Sequence, residues 1–202
     1  LDTELIGKMT SKKLPAIAAI HKGQVIEPFS INYCKKYNLV LIRGLIMPVG
    51  LENELGDAII ELCDSLKAKE LILVDGIETQ ELSKDSNIFY TTTSEEKKKQ
   101  FEKQGIELLK EGVTMGTVAS LLSKKSDASF IFAETHSKLP DAKAAAEIIK
   151  TLDQHLDLKV DYKPLMKKAE DFEKKLKALL ETAMISKGKG KKAQKTDDTE
   201  YV

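Results

Sequence analysis

The chain has 202 residues, of which 42% are hydrophobic, enough for one α/β domain with a sizeable core. Thirty-two basic residues balance 32 acidic ones, for a formal net charge of zero, which argues against a general nucleic-acid or membrane-surface binder. The sequence contains no run of 18 apolar residues of the kind a transmembrane helix needs and shows no signal-peptide pattern, so a cytoplasmic, non-membrane protein is expected.

From the start, Leu1 onward runs straight into a strand-like pattern. Leu14–Ile20 is a short apolar run, followed by a turn through His21-Lys22-Gly23-Gln24 and then Val25–Pro28, which predicts a β-hairpin. Leu39–Gly44 is nearly all apolar and closed by glycine, as in a strand buried on both faces of a parallel sheet. Leu51, Leu55, Ile59, Leu62 and Leu66 recur at spacings of three or four and predict a helix over 51–69 with one apolar stripe. Leu71–Gly76 is a second buried strand, so the order strand, helix, strand implies a right-handed crossover.

Asn87–Tyr90 is a weaker strand. A Thr93/Glu96 capping box opens a Lys-rich helix to about Gln104. Gly112–Gly116 is a glycine-bracketed turn, 117–125 a short helix and 128–133 a third buried strand. Asp141 caps a helix over 142–153, and Leu156–Val160 is read as a short extended segment. Asp161 then caps a long final helix whose apolar positions include Leu165, Phe172, Leu176 and Leu179 in a heptad rhythm. That seam has two readings: packing along the domain, or contact with a neighbouring subunit. From Ser186 the composition turns to Gly, Lys and Ser without a large apolar residue, which predicts an extended tether, 186–202, after a folded body, 1–185. The tether ends in Glu200-Tyr201-Val202, a short linear binding motif in form.

Few residues are arranged for chemistry. His21, His136 and His155 have no partners at metal-ligand spacing, and no metal or cofactor is expected. Cys34 and Cys63 read as reduced, buried residues. The strand ends place Gly44, Asp75-Gly76 and Glu134-Thr135-His136 where open α/β sheets gather ligands, and Asp75, Glu134 and His136 form the one candidate acid–base cluster. The competing reading is that these polar residues bond to loop backbone. No phosphate-binding glycine motif and no nucleophile elbow is present, so no catalytic residue is assigned. The tail lysines, 187, 189, 191, 192 and 195, are followed by Asp197, Asp198 and Glu200 and read as a solubilising tether.

The order of landmarks resembles the proteasome assembly chaperone family, archaeal Pba type. They are Glu4-Leu5-Ile6-Gly7, Leu14-Pro15-Ala16-Ile17, Lys22-Gly23-Gln24-Val25-Ile26, Leu73-Val74-Asp75-Gly76, Gly112–Gly116, Ala133-Glu134-Thr135, and Leu139-Pro140-Asp141 before an Ala-rich helix. The resemblance covers residues 1–185. It implies a three-layer, Rossmann-like α/β fold with a mostly parallel sheet, a β-hairpin and a long C-terminal helix. It also implies a non-enzymatic chaperone that forms homo-oligomers (tetramers or pentamers) or pairs with a paralogous subunit, and that sits on proteasome core-particle α subunits. Members carry a C-terminal hydrophobic-Tyr-any motif that enters pockets between those subunits. Tyr201 and Val202 match its last two positions and Glu200 departs from the first. Members also begin with a further strand and helix before the Glu4–Gly7 segment, and the expectation is that this unit is truncated or unresolved here. Two alternatives remain open: an enzyme of nucleoside-phosphorylase-like architecture acting at the carboxyl edge of the sheet, and a scaffold whose terminal Glu200-Tyr201-Val202 adds to a PDZ-like groove.

Overall fold

The computed structural model describes residues 1–14, 19–21, 23–44, 49–78, 87–125, 127–135, 141–163 and 167. Its strands fall into three sheets. Glu4–Lys8 (β1), Phe29–Cys34 (β4) and Leu39–Gly44 (β5) form an antiparallel sheet in the order β1-β4-β5. Ala19–His21 (β2) and Gln24–Ile26 (β3) form the expected hairpin, with Ile20 opposite Val25. Gly23 takes φ 76° at its turn, a conformation that glycine adopts without a Cβ penalty.

Ile72–Glu78 (β6), Ile88–Thr91 (β7), Glu107–Leu108 (β8) and Ser129–Thr135 (β9) form a mixed sheet in the order β6-β9-β7-β8. The pairs β6·β9 and β7·β8 are parallel, while β7·β9 is antiparallel. The mostly parallel sheet expected from the apolar runs therefore holds for two of the pairings here, and the β1-β4-β5 sheet is antiparallel throughout. An apolar run reports burial, not strand direction, so β5 reads as a parallel strand although it pairs antiparallel with β4. Nor is β5 buried on both faces, since its first four residues are half-buried and Arg43 and Gly44 are exposed.

The helices are Glu52–Leu66 (α1), Glu95–Lys103 (α2), Gly116–Lys124 (α3) and Ala142–Leu156 (α4), and a short 3₁₀ turn lies at Lys35–Tyr37. Asp141 caps α4 as expected, its Oδ1 accepting from the Ala144 N–H at 2.9 Å. Helix α2 starts one residue later than the capping box placed it, with Ser94 at the N-cap. The segment expected to be extended near 156–160 instead begins as the last turn of α4. Beyond that turn, the Leu158 N–H and Val160 N–H bond to the Asp153 backbone carbonyl and carboxylate. Lys163 N–H donates to Asp161 Oδ1 at 3.1 Å, and the long helix that Asp161 was expected to cap lies outside the described residues. The seam Leu165, Phe172, Leu176 and Leu179, and the tether to Val202, lie outside the described residues.

The core is organised around β9. Phe130 and Phe132 join Ile59 of α1 and Leu121 of α3 in one cluster, while Ile131, between them in sequence, joins Tyr90, Phe101 of α2 and Ile106 in another. Period-2 alternation along a strand sends neighbouring side chains to opposite faces, so one strand serves both clusters. Residues 129–133 are at most 1% exposed, which fits the expectation of a strand buried on both faces. Helices α1 and α3 approach closely at Gly56, where a Cβ would stand 2.7 Å from Ser120 Oγ. Cys34 is buried and Cys63 half-buried, both free thiols. Burial, and then the Asp64 charge, push the Cys63 thiol above its ordinary value, the opposite of what activates a nucleophile.

Candidate functional site

The carboxyl ends of β6 and β9 open onto a cleft of about 710 Å³, closed on its far side by the segment that follows β8. Its lining includes Asp75, Ile77, Phe89, Glu134 and the run Glu107–Met115. Strand-end logic therefore located two of its acids, Asp75 and Glu134. Gly44 ends a strand of the other sheet and does not line the cleft. His136, the third member of the candidate acid–base cluster, lies outside the described residues.

Both carboxylates are engaged with neighbouring backbone and loops. Asp75 Oδ1 accepts from the Gly76 N–H at 2.8 Å, and Oδ2 accepts from the Thr114 hydroxyl at 3.0 Å. Glu134 Oε2 accepts from Asn87 Nδ2 at 2.7 Å and from the Asn87 N–H at 3.4 Å, and the Glu134 N–H donates to the Asn87 carbonyl at 2.9 Å. Thr135 Oγ1 donates to the Ile77 carbonyl at 3.3 Å, tying β9 to β6. Asp75 thus braces the 110–115 segment and Glu134 braces the entry to β7. That is the loop-bonding role, and it leaves neither acid arranged around a shared proton.

A second polar cluster, not anticipated from the sequence, sits at the opposite end of the same two strands. Ser129 opens β9 and Glu70 precedes β6; the Ser129 hydroxyl donates to Glu70 Oε1. His155, from the last turn of α4, places Nε2 3.2 Å from both Glu70 oxygens. Its ring stacks on Phe101 at 4.8 Å and 8°, and Phe101 stacks in turn on Tyr90. The His155 side chain is 4% exposed, and Nδ1 has no hydrogen-bond partner. Burial alone would raise the Glu70 carboxyl; hydrogen bonds from His155 and Ser129, and the charges of His155 and Lys97, outweigh it and hold the group below its ordinary value. The order of contacts is Ser–Glu–His, with the acid in the middle. In a nucleophilic triad the base must stand between hydroxyl and acid, so this cluster cannot activate Ser129. It joins α4 to the start of the sheet. A sequence signal existed: His155 follows Thr151 by four residues and Leu152 by three, on the side of α4 that carries its buried positions.

Among the described residues, no group of three or more His, Cys, Asp or Glu is placed to hold a metal ion. No helix among them is long and apolar enough to cross a membrane.

Comparison with known proteins agrees with this geometry. The PAC2 family model matches residues 1–180. An uncharacterized protein of Methanocaldococcus jannaschii is 27% identical over 180 residues, spanning 87% of this chain and 74% of that protein. The crystal structure of Pyrococcus furiosus PbaA, described as an archaeal homolog of proteasome-assembly chaperone, superposes with a TM-score of 0.77 at 26% identity, covering 92% of this chain and 83% of that one. Pyrococcus furiosus PbaB, described as an archaeal proteasome activator, shares the fold with a TM-score of 0.70 at 16% identity, covering 88% and 82%. The chain belongs to the PAC2 family, a family of proteasome assembly chaperone homologues rather than enzymes.

Proposed function

We propose that this chain is a proteasome assembly chaperone or docking factor that engages core-particle α subunits through its C-terminal Tyr201-Val202 end. The observation that carries the reading is the PAC2 match over residues 1–180, joined to the likeness to PbaA in both sequence and fold. The cleft supports it further: Asp75 and Glu134 bond to Thr114 and Asn87, and so brace loops instead of facing a reacting group. The assignment of β9 side chains to two clusters fits a three-layer, Rossmann-like body that serves as a platform.

In this reading the work is done by the end of the chain. The free carboxylate of Val202 pairs with a lysine at the base of a pocket between α subunits, and the Tyr201 ring supplies apolar area with a hydroxyl for one hydrogen bond. Glu200 stands where a hydrophobic residue is expected, which lowers the affinity of each tail. The lysine-bearing stretch 186–195 is the tether, and several tails on one cytoplasmic homo-oligomer, a tetramer or pentamer, or a pair with a paralogous subunit, add avidity. The 165–179 seam (Leu165, Phe172, Leu176, Leu179) is assigned to packing or to subunit contact.

The test is a pull-down of proteasome core particles and free α subunits by the full chain and by a chain lacking Tyr201 and Val202. The full chain retains core particles and the truncated chain loses them, while both have the same size by light scattering. Equal retention by both refutes the tail as the docking element.

A further inference from the structure

Helix α4 packs chiefly on β9. Among the described residues, those it buries fully are small: Ala144, Ala146 and Thr151. Helices α1, α2 and α3 bury Ile59, Phe101 and Leu121 instead. Hydrophobic stabilisation follows the apolar area removed from water, so the three small residues add little to the α4–β9 contact. The large side chain that α4 seals from solvent is polar. His155, with its side chain 4% exposed, meets Glu70 and lies flat on Phe101.

This anchor depends on one carboxylate. The Ser129 hydroxyl and His155 Nε2 both address Glu70, which assigns the ring proton to Nε2. Nδ1 then stays buried without a partner among the described residues, a cost that ends when the ring reaches water. The charged groups around the cluster come from three elements. Glu70 precedes β6. Lys97 of α2 acts on Glu70 by its charge, while its Nζ donates to the Asp127 carbonyl at 2.7 Å. On α4 itself, the Asp153 carboxylate accepts from the Val160 N–H at 2.7 Å.

The sign of the pH effect follows from Glu70. Burial pushes its carboxyl up, but the His155 and Ser129 hydrogen bonds, with the His155 and Lys97 charges, hold it below its ordinary value while α4 is docked. Released, the same group binds a proton more readily. Docking is therefore fully supported above the ordinary carboxylate range and loses support as pH falls through the docked value. The turn after α4 favours release as well. Asp157 and Lys159 hold φ of 50° and 53°, left-handed backbone that such residues keep only while their surroundings impose it.

We infer that α4 is a releasable element: the His155–Glu70–Ser129 cluster latches it to the amino end of β9, and acid opens that latch, so that α4 and the turn after it leave together while β9, α1 and α3 stay folded. This inference does not rest on the proposed docking function, and its test needs no proteasome.

Amide exchange of the full chain, expressed as protection factors, is followed from neutral pH to below the ordinary carboxylate range. Protection over 148–160 falls by about tenfold or more on acidification, whereas 129–133 and α1 keep theirs. In Glu70→Gln, 148–160 is less protected than in the parent at neutral pH, and the acid response is lost because the titrating acceptor is gone. Ser129→Ala keeps the His155–Glu70 pair and removes one bond that holds the carboxyl down, so its loss of protection comes at higher pH than the parent's. The proposal is overturned if 148–160 and 129–133 lose protection together at every pH. It is equally overturned by a Glu70→Gln chain with the parent's full acid response, or by a Ser129→Ala transition that stays in place or moves to lower pH.

Discussion

The two ends of strand β9 carry similar residues and put them to opposite use. At the carboxyl end, Glu134 and the neighbouring Asp75 line an open cleft and bond to loops. At the amino end, Glu70 meets a buried histidine and a buried serine from elements that the chain brings together from afar. In water-accessible surroundings a hydrogen bond replaces one to solvent and contributes little. In a buried one, each partner left alone costs its full desolvation. The acids that stand out in the sequence, at the carboxyl edge of the sheet, therefore matter less to the fold than the acid at the other edge.

The largest expected effect comes from breaking the buried end. His155→Ala removes the ring stacked on Phe101, opens a cavity and leaves Glu70 without its main partner, for a loss of about 2–4 kcal/mol in a urea or thermal unfolding experiment. A loss under about 0.5 kcal/mol would mean that the pair is surface-like after all. Glu70→Gln is milder and carries a pH signature. Because the folded state holds the Glu70 carboxyl below its ordinary value, its stabilisation is complete above the unfolded carboxylate pKa and disappears as pH falls through the folded one. The parent chain should lose stability on acidification through and below the ordinary carboxylate range, and Glu70→Gln should flatten that part of the curve, read by unfolding midpoints over a pH series.

The smallest effect is expected at the open end. Thr114→Val removes the donor to Asp75 Oδ2 and should shift global stability by no more than about 0.5–1 kcal/mol. Its local effect is larger: amide exchange across 110–115 should accelerate while β9 stays protected, because that segment loses its side-chain brace to Asp75. Unchanged exchange there would show that Val113, Met115 and their neighbours are held by something other than Asp75.

Elements whose evidence is local were legible in the residues. The Leu51-to-Leu66 stripe marks α1, the Gly23 turn marks the hairpin, Asp141 marks the start of α4, and the unbroken run around Phe130 marks the buried strand β9. Strand β4 escapes such a pattern, although Phe29, Ser30 and Cys34 are all nearly buried, because its polar Ser30 and Asn32 interrupt the apolar run that marks its neighbours. Strand β8 is two residues long and exposed, below what any pattern signals. At the candidate site, the strand-end rule found Asp75 and Glu134 but not the 110–115 segment that completes the cleft, since a glycine-bracketed turn does not say what it folds over.

Periodicity, caps and turn residues act over a few positions, so the chain by itself determined the strongly patterned elements, such as α1, the β2–β3 hairpin, α4 and β9, and which side of α1 is apolar. It could not say that β5 would run antiparallel to β4, that β7 would lie between β9 and β8, or that His155 would reach back 85 residues to Glu70. Those choices belong to the tertiary structure, because an apolar face is satisfied by any apolar neighbour, and only packing the whole set at once selects which neighbour that is.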